Sequence, residues 1–319
     1  MPSLADARIA VVGATGAVGR VTLDLLARRG HRDVRAFASA RSAGSRLPFG
    51  DGELVVEEAT PDALAAGDLD VCLFSVGASA SRALVPHAVR GGALAVDKSS
   101  AYRLEDGVPL VVPEVNGGRA LEHDGIVANP NCCAIPLTAV LKPLHDEAGL
   151  VRVRVSTYQS VSGAGAQRME QLRAEAPDDH DLRADWTFDG VEYEEETKLR
   201  LETRKILELP DLPVSPTCVR VPVMVGHAEA VWVELERPLE PRRAEELLAA
   251  APGLRVTGFP SPRDAAGTDD VLVGRVRRDT AAEIGLALFL AADNLRKGAA
   301  LNAIQIAELV LARDRAVAA

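Results

Sequence analysis

Cys132 closes the string Asn129-Pro130-Asn131-Cys132 and precedes an apolar stretch, Leu137, Val140, Leu141 and Leu144, spaced as one face of a helix. Asn-Pro-Asn is turn chemistry, so the thiol falls at a helix start, near unpaired N–H groups and the positive end of the dipole. That placement favours thiolate, the reactive form. The competing reading of any cysteine is a small buried hydrophobe. A second signature lies near the start, Gly13-Ala14-Thr15-Gly16-Ala17-Val18-Gly19, between an apolar strand pattern and a helical one. Such a loop presents backbone N–H groups to the phosphates of a dinucleotide. Its spacing departs from the commoner Gly-x-Gly-x-x-Gly, and a tight turn without a ligand is the alternative. A nucleophilic cysteine together with a nicotinamide cofactor suits oxidation or reduction of an aldehyde through a thioester.

The choice of cofactor is written about 20 residues beyond such a loop. An Asp or Glu there would hold ribose hydroxyls. This chain has Ser39-Ala40-Arg41-Ser42-Ala43-Gly44 instead. Hydroxyls and a guanidinium suit a 2′-phosphate, so NADP is expected, with a solvated basic loop as the bland reading.

These groups need elements to hold them. Apolar runs at 8–12, 34–39, 70–76 and 93–97 read as strands, with helical stretches such as 79–89 between them. The alternation predicts an α/β fold whose first part is a Rossmann-like, doubly wound parallel sheet. After about residue 130 the pattern changes. Residues 151–158 alternate apolar with polar, 219–225, 230–235 and 271–277 look similar, and 284–292 is a more buried strand. That predicts an α+β second domain with a mixed or antiparallel sheet and helices on one side. A polar, acidic region at 175–196 interrupts it. A final helix over 297–313 carries Leu301, Ile304, Ala307 and Leu311 on one face and is expected to pack on the first domain. The domains are therefore a dinucleotide-binding domain over 1–130, completed by helix 297–319, and a catalytic and dimerisation domain over 131–296.

Composition bounds the function. The 319 residues suffice for two domains with sizeable cores. With 46 acidic against 36 basic residues, a net charge of −10 speaks against nucleic acid or an anionic membrane as partner. Four cysteines, Cys72, Cys132, Cys133 and Cys218, give no disulfide framework, which points to a reducing cytoplasm. No signal peptide is expected before the first strand, and the apolar run 284–292 is shorter than the ~20 residues that span a bilayer. No metal site is expected.

The chain resembles the aspartate-semialdehyde dehydrogenase family. The strings that carry the resemblance are the glycine loop 13–19, the Ser-Ala-Arg-Ser-Ala-Gly of 39–44, Ser99-Ser-Ala-Tyr-Arg103, Val112-Pro-Glu-Val-Asn116, and Asn129-Pro-Asn-Cys132. They continue with Thr157-Tyr-Gln-Ser-Val-Ser-Gly163, Glu195-Glu-Thr-Lys198, Cys218-Val-Arg-Val-Pro222, Gly226-His227 and the segment 293–303. They follow family order across nearly the whole chain. The resemblance implies an NADP-dependent reduction of L-4-aspartyl phosphate to L-aspartate 4-semialdehyde, within biosynthesis of lysine, threonine, methionine and diaminopimelate. It also implies a homodimer joined through the second domain.

It implies roles as well. Cys132 is the expected nucleophile, with Asn131 stabilising the oxyanion and Gln159 orienting substrate. His227 is the expected acid/base, an imidazole that titrates near neutrality; a lone histidine is otherwise more often structural. Arg220, read as lying on the same strand as His227, is expected to grip the substrate carboxylate. Glu195 is expected to accept the substrate amino group, although most acidic runs are simply solvated. Lys198 and Arg103 are the expected pair for inorganic phosphate. Asn302 and Gln305 are expected near the nicotinamide. His31, His123 and His180 read as surface residues. The chain departs from the family pattern at Cys133, Pro136, Gly77, Lys98 and the insert 178–190. A paralogue acting on another acyl phosphate or an acyl-CoA, and a non-enzymatic cofactor-binding relative, are the alternatives.

Overall fold

The structure is a computed structural model; it describes residues 7–176 and 180–318, with side chains through Arg313. Asp178 of the insert lies outside the described residues. The chain divides into two compact units, Met1–Pro130 with Ala299–Ala319, and Asn131–Gly298.

The first unit is the α/β part. Its strands are β1 (Ile9–Val12), β2 (Val34–Ala38), β3 (Arg46–Phe49), β4 (Gly52–Glu58), β5 (Val71–Phe74), β6 (Leu94–Asp97) and β7 (Ile126–Ala128). They form one sheet in the order β3-β4-β2-β1-β5-β6-β7, parallel except for the β3–β4 hairpin at the edge. β1 and β5 are fully buried runs of four, as strands covered on both faces must be. The strand order reverses at β1, so the turn after β1 opens at the crevice where such sheets bind nucleotides. Leu301, Ile304 and Ala307 of the final helix (Leu301–Ala318) join Val11, Leu73 and Leu23 in one core. The surface reading of His31 is overturned. It is 5% exposed, and its Nε2 lies 3.6 Å from Glu308, which Arg29 also holds in a fork at 2.5 and 2.8 Å.

The second unit is built on β8 (Leu150–Gln159), β9 (Val214–Arg220), β10 (His227–Leu235), β11 (Leu254–Val256), β12 (Val271–Arg278) and β13 (Gly285–Ala292). Its mixed sheet runs β11-β12-β13-β10-β8-β9. Helices Ala134–Ala148 and Glu194–Leu207 cover one face. The strand expected at 219–225 instead runs Val214–Arg220, followed by irregular chain to Gly226. Pro222 has no N–H to give a ladder, so pairing stops before it; Pro216 is tolerated because β9 is an edge strand. Arg220 and His227 thus lie on different strands, correcting the reading that placed them on one. Among the described residues no helix is long and apolar enough to cross a membrane.

Candidate active site

The second sheet gathers a constellation at one end. Gln159 ends β8, Arg220 ends β9, and the two are register partners. His227 opens β10, opposite Ala292 at the end of β13. Because Ala228 pairs with Tyr158, the pleat puts Gln159, Arg220 and His227 on one face. It is the buried face: the three are 1%, 4% and 1% exposed.

Cys132 reaches this cluster from the turn before helix Ala134–Ala148. Asn131 Oδ1 accepts the Cys133 N–H at 2.8 Å, which fixes the turn as a side-chain–backbone loop. The Cys132 sulfur lies 3.3 Å from His227 Nε2. The other ring nitrogen, Nδ1, accepts the Ser160 backbone N–H at 3.0 Å. A backbone N–H can only donate, so Nδ1 is the acceptor and the neutral ring carries its proton on Nε2, aimed at sulfur. Asn294 braces this corner; its Oδ1 accepts from Gly226 N–H at 2.9 Å and from the Ser160 and Ser162 hydroxyls at 3.0 and 3.1 Å. Gly163 closes over the pair, where a Cβ would come within 3.1 Å of Arg220 Nη1 and 3.2 Å of His227 Nε2. Ser160 and Asn294 both sit in the quoted strings but carried no expected role, because 134 residues separate them in sequence.

Glu195 is drawn into the site rather than solvated. It is 6% exposed in the first turn of helix Glu194–Leu207, where the helix dipole favours a carboxylate. Its Oε1 accepts from Asn131 Nδ2 at 2.8 Å and Gln159 Nε2 at 3.2 Å. The Asn131 N–H donates to Glu202 at 2.6 Å. Asn131, Gln159 and Glu195 therefore form one network beside Cys132. Lys198, one turn along, pairs with Glu194 at 2.5 Å.

Arg220 is held from both sides. Nη1 donates to Ser160 O at 3.0 Å and Gln159 Oε1 at 3.5 Å. Nη2 and Nε donate to the two carboxylate oxygens of Asp185 at 3.1 and 3.2 Å. Trp186 lies against the guanidinium, 4.7 Å from its ring centroid. Asp185 and Trp186 come from the insert, which is tied to β9 where Arg183 and Arg220 exchange two backbone hydrogen bonds. No sequence pattern pointed to either residue.

Among the cysteines Cys132 alone is partly exposed. Burial pushes the Cys72 thiol up to about 12 and those of Cys133 and Cys218 well up, which keeps them protonated and unreactive. Cys132, Cys133 and His227 bring ligand atoms within 4.8 Å of one another. The fully buried, protonated Cys133 is a poor metal ligand, since a metal needs thiolate. Glu229, two residues along β10 from His227, is fully buried, and its carboxylate has no well-formed hydrogen bond, with the Cys133 thiol as a weak neighbouring donor. Burial first, and the neighbouring Cys132 second, push its carboxyl well above the ordinary value of 4.5. A raised carboxyl contributes stability that is complete below the unfolded value and is lost as pH climbs to the folded one. Across that window the wild type should lose about 1.4 kcal/mol per pH unit relative to Glu229→Gln. Urea unfolding of both proteins from pH 4 upward measures it; parallel curves would show an ionised Glu229.

In the first unit Gly13, Thr15, Gly16, Ala17, Val18 and Gly19 form the turn from β1 into helix Ala17–Arg28. A Cβ on Gly13 would meet Ser75 O at 2.4 Å, and one on Gly19 would meet Gly13 O at 2.2 Å, so the turn can close only with glycine. No side chain caps this helix and no acid sits in its first turn, which leaves its N-terminus fit for phosphate. Ser39, Arg41 and Ser42 lie on or beside the short turn Ala40–Ser42 after β2, with Arg41 exposed. Arg103 is 9% exposed and donates to Asn129 O at 3.1 Å and Lys98 O at 2.6 Å. Asn302 Nδ2 donates to Asn129 Oδ1 at 2.8 Å and Val111 O at 3.0 Å, and Gln305 to Glu114 at 3.2 Å. Asn302 thus braces Asn129, the first residue of the Asn-Pro-Asn-Cys string.

The semialdehyde dehydrogenase NAD-binding domain matches residues 8–123, and the semialdehyde dehydrogenase dimerisation domain matches 141–189 and 185–297. Aspartate-semialdehyde dehydrogenase of Mycolicibacterium smegmatis is 45% identical over 95% of this chain and 99% of its own. A crystal structure of aspartate semialdehyde dehydrogenase II from Vibrio cholerae complexed with ASA superposes with a TM-score of 0.90, at 37% identity over 96% of this chain and 98% of that one. Aspartate semialdehyde dehydrogenase with NADP from Candida albicans gives 0.76 at 26% identity, over 97% of this chain and 99% of that one.

Proposed function

Because the chain belongs to the aspartate-semialdehyde dehydrogenase family, we propose that it reduces L-4-aspartyl phosphate to L-aspartate 4-semialdehyde, with release of inorganic phosphate, through a thioester on Cys132. The observation that carries this reading is the 3.3 Å contact between the Cys132 sulfur and His227 Nε2, with the ring's other nitrogen already committed to Ser160 N–H.

His227 Nε2–H stabilises the Cys132 thiolate by a charge-assisted hydrogen bond. The thiolate attacks the acyl carbon, a C–S bond forms, and the C–O bond to phosphate breaks. The Asn131 amide stabilises the oxyanion. Arg103 and Lys198 hold the departing phosphate, and in the oxidative direction the same cations hold it as nucleophile. The first unit would hold NADPH at the glycine turn 13–19, and the bound cofactor would supply hydride to the thioester carbon. The resulting hemithioacetal oxyanion is steadied by proton exchange with His227. It expels Cys132 as thiolate, which releases the aldehyde. Gln159 orients the acyl group, Arg220 receives the substrate carboxylate, and Glu195 accepts from its amino group, so an amino acid is preferred over a plain acid.

The free helix N-terminus after Gly16 supports a dinucleotide phosphate. Ser39, Arg41 and Ser42 support NADP over NAD. Arg41→Ala is expected to raise KM for NADP about 10- to 100-fold, the worth of lost charge-assisted bonds, with a much smaller change for NAD. Equal losses in the initial-rate assay would remove Arg41 from 2′-phosphate recognition. Asn302 acts on the cofactor side through Asn129. The second unit supplies a homodimer contact: the sheet face away from the helices exposes Tyr158 and Phe259, linked through Phe289 with centroids 6.2 and 6.0 Å apart. Reduced thiols fit a cytoplasmic enzyme.

The test mixes purified protein, NADP, phosphate and aspartate semialdehyde and follows absorbance of the reduced cofactor. Turnover that requires phosphate is expected. Turnover with coenzyme A in its place would assign a thioester substrate, and none with either would leave a binding protein.

A further inference from the structure

Arg220 is 4% exposed and every nitrogen of its fork has a partner, with Asp185 taking the Nε–Nη2 edge in bidentate fashion. With Nη1 engaged by Ser160 O and Gln159 Oε1, that edge is the one left for bidentate binding of a substrate carboxylate. A planar guanidinium edge admits one bidentate carboxylate, and a second negative charge beside the first is repelled. Substrate binding at Arg220 is therefore an exchange of carboxylates rather than an addition.

We propose that Asp185 is an internal competing carboxylate, which occupies the Arg220 fork and so sets the KM of any ligand that brings a carboxylate of its own. The inference rests on the reading of Arg220 as the substrate-carboxylate ligand. Three features fit the exchange. Asp185 is 34% exposed on its side chain, so water can receive it when it swings away. Arg220 is not exposed, and a buried guanidinium stripped of its partner is costly, so the resting site needs a stand-in anion. The insert is pinned at Arg183 by two backbone hydrogen bonds to Arg220, which leaves Asp185 a short lever from a fixed point. Trp186 rides on the same lever against the guanidinium face.

The consequence is a KM raised for carboxylate-bearing ligands alone. An aldehyde without a carboxylate leaves Asp185 in place and gains nothing from Arg220. One with both carboxylate and ammonium displaces Asp185 and meets Glu195. The carboxylate-bearing ligand alone bears the cost of the exchange, so Asp185 raises its KM and leaves the ligand without a carboxylate untouched.

The first test is Asp185→Asn, which keeps shape and removes charge. KM for aspartate semialdehyde should fall about tenfold, the effect of a fork that Asp185 holds roughly nine-tenths of the time. kcat should move less than KM, and kcat/KM for propanal, which has no carboxylate, should not rise in parallel. An unchanged or higher KM for aspartate semialdehyde overturns the proposal. The second test reads binding directly. The chain has two tryptophans, so Trp232→Phe leaves Trp186 as sole reporter. Titration with L-aspartate should shift its emission, with a midpoint about tenfold lower once Asp185→Asn is added. A silent tryptophan overturns the exchange. A wild type that shows the tryptophan response but no turnover of aspartate semialdehyde sinks the functional reading alone.

Discussion

Cys132→Ser is expected to abolish turnover, with a loss of about four orders of magnitude or more, while the fold survives. The serine hydroxyl is ionised far less than a thiol at neutral pH, and an ester returns to an alkoxide less readily than a thioester to a thiolate. The structural cost is small, because Cys132 is only half-buried and contributes no backbone cap to helix Ala134–Ala148 beyond the turn that Asn131 holds. Circular dichroism should match the wild type. Wild-type enzyme quenched after mixing with NADP and aspartate semialdehyde without phosphate should show, by mass spectrometry, the acyl adduct on the Cys132 peptide, and the variant should show none. Cys133 shares that peptide, and fragmentation separates the two sulfurs. Cys133 is fully buried with its thiol held protonated, so it offers no bypass. A serine variant with a near-normal rate, or an adduct on another residue, would remove the thioester from the account.

His227→Gln should cost about 10²- to 10⁴-fold in kcat, the span typical of a lost general acid/base. Glutamine can place an N–H near the sulfur but cannot exchange a proton with the hemithioacetal oxygen. Its amide also cannot reproduce the arrangement in which Ser160 N–H meets Nδ1 at 3.0 Å while Nε2 faces sulfur at 3.3 Å. Two readouts separate the parts of this loss. Alkylation of Cys132 by iodoacetamide at neutral pH should slow by about tenfold, reflecting one lost charge-assisted hydrogen bond to the thiolate. The remainder should appear only in turnover. A variant that is alkylated more slowly yet turns over normally would leave His227 as a structural partner of Ser160 and Asn294. His227 is 1% exposed, so a thermal melt must accompany the kinetics to show that the corner still packs.

Local signals in the chain carried far. The apolar runs at 8–12, 34–39, 70–76 and 93–97 correspond to β1, β2, β5 and β6 of the parallel sheet, because buried parallel strands read as continuous apolar runs. The glycine loop was legible because its turn admits no Cβ at Gly13 or Gly19. Among four cysteines, Cys132 stood out by its turn and helix, and burial separates it from the other three. The β3–β4 hairpin, the true span of β9 and the burial of His31 were not legible. Each depends on a partner distant in sequence, as His31 depends on Glu308. Arg220 and His227 read as one strand because six largely apolar residues join them, and only the ladder to β8 shows that one strand ends before another begins.

The residue types and their order were enough to determine that this chain has a dinucleotide-type turn, a thiol at a helix start and the family to which both belong, since those features reside in short strings governed by local backbone chemistry. The tertiary structure decided which nitrogen of His227 faces the sulfur, that Glu195 is buried against Asn131 and Gln159 rather than part of a wet acidic run, and that Asp185 already fills the Arg220 fork. Those outcomes depend on hydrogen bonds between segments 35 to 67 residues apart. Such bonds are set by strand register and burial, which bring side chains into contact only after the sheet has formed.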